Sequence, residues 1–139
     1  LSKQIGKSGS LLAFNKSFET SRLKEALELT PQYAVWAQNA IGRMVDLIVP
    51  FRNFDYYHPD QNGSCSIKDV LPVLTDLSYD TLEIGEGGTA SLEYLRTHFS
   101  GNADNQKDKA VVRKHLLAYC KQDTLAMVEL LKALEKLSR

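Results

Sequence analysis

Apolar and polar positions along the chain follow two different spacings. Ser10 to Phe14 is a short apolar run ending at Asn15, which predicts a buried strand. From Phe18 to Leu29 the apolar positions Leu23, Ala26, Leu27 and Leu29 suit a helix, stopped before Pro31. Pro31 fits the first turn of a second helix running to about Val45. Its inward face would carry Val35, Trp36, Ala40, Ile41 and Met44. The ten residues ahead of the first strand are polar and Gly/Ser-containing, a loop or the tail of an earlier helix.

Asp46 to Phe51 is apolar and β-branched and is limited by Pro50, which predicts a short or edge strand. Arg52 to Ser64 is aromatic and turn-rich, a long ordered loop, and Ser66 to Leu74 reads as a short helix despite Pro72. Turns are expected over Tyr79 to Gly88, a helix over Thr89 to Phe99, and a flexible loop over Ser100 to Gln106. From Lys107 onward the chain is strongly helical, with room for one break near Cys120.

Composition narrows the class. A chain of 139 residues suits one domain, with no internal repeat or boundary in the pattern. Seventeen basic and seventeen acidic residues cancel, which argues against a general polyanion binder, an acidic tail or a membrane-surface protein. Apolar residues at 43% and charged residues at 24% argue against disorder. Cys65 and Cys120 are too few for a disulfide scaffold and lack zinc-ligand spacing, so both are expected as buried thiols in a reducing compartment. No apolar run is long enough to span a bilayer and no leader opens the chain, so the expected location is the cytoplasm. A first residue of Leu points to a processed product or an excised piece of something longer.

One carboxylate breaks the pattern of the last helix. Leu116, Cys120, Asp123, Met127, Leu130, Leu134 and Leu137 form an apolar stripe with Asp123 in its middle. Burying an ionised carboxylate without partners costs several kcal/mol, of order 3–5. Asp123 must therefore meet a cation, a donor network or a metal, or line a cleft. A helix break near Cys120 would instead make it an N-cap. Tyr119 lies four residues earlier, on the same face. At the other end of the chain, Asn15-Lys16-Ser17-Phe18-Glu19 follows an apolar run and opens a helix. That is where parallel α/β sheets place their chemistry. Glu19 also suits a plain role, an acid favoured by the helix N-terminus that Asn15 or Ser17 would cap.

Other signals are less directive. Between Lys107 and Gln122, Lys107, Lys109, Arg113, Lys114 and Lys121 face one acid, Asp108. They form a solvated helix face or track a nucleic-acid backbone. Phe54, Tyr56 and Tyr57 suit stacking on bases or pinning of a loop. His58, His98 and His115 form no helical metal pair, and Gly6-Lys7-Ser8 lacks the glycine and strand of a phosphate loop.

Together, Asn15-Lys16-Ser17-Phe18-Glu19 and Tyr119-Cys120-Lys121-Gln122-Asp123 resemble the second and third motifs of the DEDD exonucleases, in the ribonuclease-H-like superfamily. Asp46-Leu47 and Ser66-Ile67-Lys68-Asp69-Val70-Leu71 are similar to its middle part. More narrowly, Ser64-Cys65-Ser66-Ile67-Lys68, Tyr119 to Thr124 and the glycines around 85–88 resemble a bacterial domain family of unknown function in that superfamily. The resemblance covers roughly residues 10–135. It departs from the family in two ways: Glu19 stands where Asp is usual, and the first motif, an Asp-x-Glu pair on the first strand, has no counterpart.

The resemblance implies an α/β, ribonuclease-H-like, helix-rich fold truncated at its amino end, with residues 1–139 as the carboxyl-terminal part of one exonuclease domain. It implies a metal-dependent 3'-5' exonuclease acting on DNA or RNA ends, this fragment being inactive alone. Asp123 and Glu19 would ligate Mg²⁺ or Mn²⁺, weakly or not at all here, and Tyr119 would orient the attacking water. Candidate nucleic-acid contacts are Asn15, Lys107, Lys109, Arg113 and Lys114. The alternative is a non-catalytic nucleic-acid-binding or protein-interaction module with a degenerate exonuclease fold. Absent first strands would leave a sheet edge open, so the fragment is expected to dimerise or rearrange to cover Leu11 to Phe14.

Overall fold

Strand β1, Leu11–Ala13, pairs in parallel with β2, Met44–Asp46, in the register Leu11 to Met44, Leu12 to Val45 and Ala13 to Asp46. The computed structural model describes residues 1–99 and 106–139, without the side chains of residues 106 and 107. The loop expected over Ser100 to Gln106 thus lies outside the described residues but for its last residue. The chain divides into two compact units, Leu1–Asp69 and Val70–Arg139.

In the first unit the parallel strands are joined through two helices, as parallel pairing requires. Helix α1, Lys16–Leu29, starts directly after β1, because Asn15 takes a left-handed conformation (φ 72°) that turns the chain within one residue. Asn tolerates that region better than other residues with a Cβ. A 3-10 turn, Pro31–Tyr33, leads into α2, Ala34–Gly42. The second helix is therefore shorter than the pattern to Val45 predicts, since Met44 and Val45 are taken up by β2. Ala37 and Ala40 are its buried residues, whereas Val35, expected to face inward, is 85% exposed.

The expected strand over Asp46 to Phe51 is also corrected. Asp46 ends β2, and Val49–Arg52 forms a short helix, α3. Pro50 sits near the start of that helix, where a missing N–H costs nothing. The turn buries Phe51 between the rings of Phe14 and Tyr56. The following loop is ordered by a 3-10 turn, Pro59–Gln61. There His58 Nδ1 accepts from Asp60 N, and Gln61 Oε1 accepts from His58 N at 2.8 Å.

Helix α4, Ile67–Leu74, holds Pro72 in its interior, and the division between the units falls within it. The second unit adds α5, Gly87–Phe99, which packs on α6, Gln106–Leu137. The last helix runs 32 residues without a break. Asp123 is thus a mid-helix residue, and the N-cap reading falls. Val112, Ala126 and Leu130 are buried, so the inward stripe passes through Tyr119 and Asp123 and leaves Cys120 and Leu137 exposed. Cys65 is half-buried, so neither cysteine is the buried thiol expected. Among the described residues no helix is long and apolar enough to cross a membrane.

Candidate functional site

Each unit holds one candidate site: the carboxylates Glu19 and Asp46 in the first, and Asp123 with two tyrosines in the second. In the first, the carboxyl ends of β1 and β2 lie side by side, with Asp46 at the end of β2 opposite Ala13. Asp46 Oδ1 accepts from Asn15 N at 2.8 Å and Oδ2 from Lys16 N at 2.8 Å, so both oxygens serve the start of α1. Asn15 Oδ1 accepts from Ser17 Oγ at 2.6 Å and from Arg52 at 3.4 Å. That leaves its amide nitrogen as the donor a phosphate could use.

Glu19 is four residues into this arrangement and half-buried. Its Oε2 is enclosed and has no hydrogen-bond partner. Burial raises its proton affinity above the ordinary carboxylate range, its own backbone N–H opposes this, and the charge of Asp46 adds to the rise. Glu19 also borders an apolar groove of about 340 Å³ between α1 and α2, lined by Ile5, Phe18, Leu23, Trp36 and Ala40. A buried carboxylate oxygen with no donor, next to a second carboxylate, is an acceptor awaiting a proton or a cation.

In the second unit, Asp123 Oδ1 accepts from the Tyr79 hydroxyl at 2.7 Å. The rings of Tyr79 and Tyr119 lie 6.2 Å apart. Burial comes first among the causes that push Tyr119 up to about 12, followed by the charge of Asp123 and a hydrogen bond to it. Tyr79 is raised further above its usual value, by burial and by its bond to Asp123. Both phenols therefore remain protonated donors near neutrality and neither can act as a base there. The turn carrying Tyr79 is held by Gln122 Nε2 donating to Ser78 O at 3.1 Å. Gly85 packs closely there, since a Cβ would come within 3.2 Å of the Tyr79 carbonyl oxygen and press on it.

Of the residues singled out from sequence, Glu19 and Asn15 lie together in the first unit, and Tyr119 and Asp123 in the second. Arg113 and Lys114 are exposed on α6 and Lys109 is half-buried. Lys107 belongs to α6, but its side chain is outside the described residues. Sequence reasoning missed the roles of Asp46 and Tyr79. Asp46 was legible as a carboxylate at the end of a parallel strand, had the strand been placed before it. Tyr79 lies 44 residues from Asp123 in a turn, and no local spacing links the two.

The donors fit a hard divalent cation in kind, because all are carboxylate oxygens and one is buried without a partner. They fall short in number. Among the described residues no group of three or more His, Cys, Asp or Glu side chains is placed to hold a metal ion.

Residues 1–66 match the family described as a domain of unknown function, DUF2779. The chain is similar to an uncharacterised protein of Ureaplasma parvum serovar 3, with 29% identity over 136 residues, covering 86% of this chain and 19% of that protein. This chain therefore spans less than a fifth of that relative's length. No solved structure matches it.

Proposed function

We propose that the chain is the carboxyl-terminal part of a cytoplasmic, metal-dependent 3'-5' exonuclease domain of ribonuclease-H-like fold. The observation that carries this reading is Glu19 Oε2, a buried carboxylate oxygen without a partner at the carboxyl end of a parallel strand pair. Neutral side chains would fill such a place at less cost, so an acid there points to a cation. Glu19 and Asp123 are each proposed as ligands of Mg²⁺ or Mn²⁺, with further carboxylates supplied from elsewhere in the longer protein. The ions, when bound, would activate water and stabilise the leaving oxygen.

The chain's own residues account for the rest. Tyr119, held protonated with its hydroxyl bonded to Asp123, keeps an oxygen lone pair that would accept from a water and so orient it without removing its proton. Tyr79 fixes one oxygen of Asp123, and Tyr119 adds a second bond to that carboxylate. Asn15 contributes its free amide nitrogen, and Arg113, Lys114, Lys109 and Lys107 supply charge for a phosphate backbone. The outer edge of β1 is also proposed as the place where two copies of this fragment pair, since among the described residues β1 pairs with β2 alone.

The test is digestion of end-labelled single-stranded DNA and RNA with Mn²⁺ by a chain extended upstream. Stepwise shortening from the 3' end, abolished by Asp123→Ala, is the expected result. A well-folded extended protein that leaves every substrate whole would instead favour the non-catalytic nucleic-acid-binding or protein-interaction module. Tyr79 supports that second reading, since its hydroxyl already satisfies one oxygen of Asp123 without a metal.

A further inference from the structure

Three backbone N–H groups converge on one side chain at the end of the strand pair. Asp46 accepts from Asn15 N and Lys16 N at 2.8 Å each and from Ile48 N at 3.3 Å. The first two donors belong to the start of α1, where a helix leaves its N–H groups without internal partners. Asn15 occupies the N-cap position, yet its side chain makes no capping bond to the helix. Its oxygen is instead taken by Ser17 and Arg52. Asp46 thus caps α1 from 30 residues away in sequence. A second tie runs parallel to it, since Lys16 Nζ donates to Met44 O at 3.1 Å.

Glu19 stands one turn into the helix that these bonds aim. We infer that Asp46 is a positioning residue for Glu19 and not a further metal ligand: its two oxygens fix the left-handed turn at Asn15 and the first turn of α1 to β2, and so set where the Glu19 carboxylate lies. Counting carboxylates would assign Asp46 to the ion. The hydrogen bonds assign it to the backbone. The capping stands on its own geometry, and only its consequence for metal binding rests on the exonuclease reading.

The capping is tested first on the unmodified 139-residue chain, by NMR couplings across hydrogen bonds. Couplings from the Asn15 and Lys16 amide nitrogens to the Asp46 carboxyl carbon are expected, and their absence overturns the inference. Asp46→Asn replaces an acceptor with a donor. Amide exchange at Asn15 and Lys16 should then quicken tenfold or more, while Leu47, whose N–H bonds Ala13 O at 2.8 Å, keeps its rate. The positioning role is read in the upstream-extended protein as the apparent Mn²⁺ dissociation constant. In Asp46→Asn it should rise by about 10- to 100-fold, as for other groups that orient metal ligands. In Ala37→Gly, which loosens buried packing in α2 without touching the cap, it should stay unchanged. Equal Mn²⁺ affinity in Asp46→Asn and the unmodified protein overturns the positioning role. Failure of the extended protein to bind Mn²⁺ at all defeats the exonuclease reading and the positioning role with it, and leaves the couplings to decide the capping alone.

Discussion

Glu19 and Tyr79 show what a single polar side chain costs or contributes when water is removed from it. Glu19 holds its proton more tightly in the folded chain than in the unfolded one. Its contribution to stability is therefore present below the ordinary carboxylate range and is lost as pH rises through the raised value. Glu19→Gln should modestly stabilise the chain at pH 7, the solvent that reaches the half-exposed side chain limiting the gain, and change little at pH 3. Thermal melts of both forms at the two pH values check this, and a variant less stable at pH 7 would contradict it. Tyr79 behaves in the opposite sense, as a donor the fold needs. Tyr79→Phe should cost about 1–3 kcal/mol by leaving a half-buried carboxylate short of a bond. Because Tyr79 and Tyr119 are both raised above 10, the stability they give persists through neutral pH and declines above about pH 10. Urea melts from pH 8 to 11 should show that decline, reduced in Tyr79→Phe.

At the scale of elements, helices α1, α4, α5 and α6 were legible near their observed bounds, α1 because Pro31 follows its end and α4 despite Pro72 in its interior. The stretch from Gly42 to Phe51 was not. Its β-branched residues suit a strand anywhere along it, and pairing with β1, invisible in local sequence, selects Met44–Asp46. Pro50 suits the limit of a strand in local sequence, whereas in the fold it lies in the first turn of α3. For the candidate site, the two motif segments were visible, but the partners of Asp123 and Asn15 depend on contacts across 44 and 31 residues. The packing of α3 and α6 gives a sharper test. Phe51 in α3 and Leu130 in α6 are both almost wholly buried. Phe51→Ala should cost about 3–5 kcal/mol and Leu130→Ala about 2–5. Hydrogen exchange should show Phe51→Ala loosening amides of residues 1–69 and Leu130→Ala loosening those of 70–139. Uniform loosening by either would mean that the two units unfold as one.

At the scale of the whole molecule, the parallel pair is short. Two strands of three residues are marginal by themselves, and β1 meets one neighbour only among the described residues. Concentrating the chain should therefore produce dimers by light scattering. Leu12→Pro, which withdraws an N–H from the strand, should reduce them. A monodisperse monomer at high concentration would count against pairing through this edge. The chain's one tryptophan, Trp36, borders the same apolar groove as Glu19. Its indole is thus a built-in fluorophore for that pocket. Its emission should change as Glu19 takes up its proton, and again if an ion displaces that proton, so the occupancy of the carboxylate can be followed by light without any label.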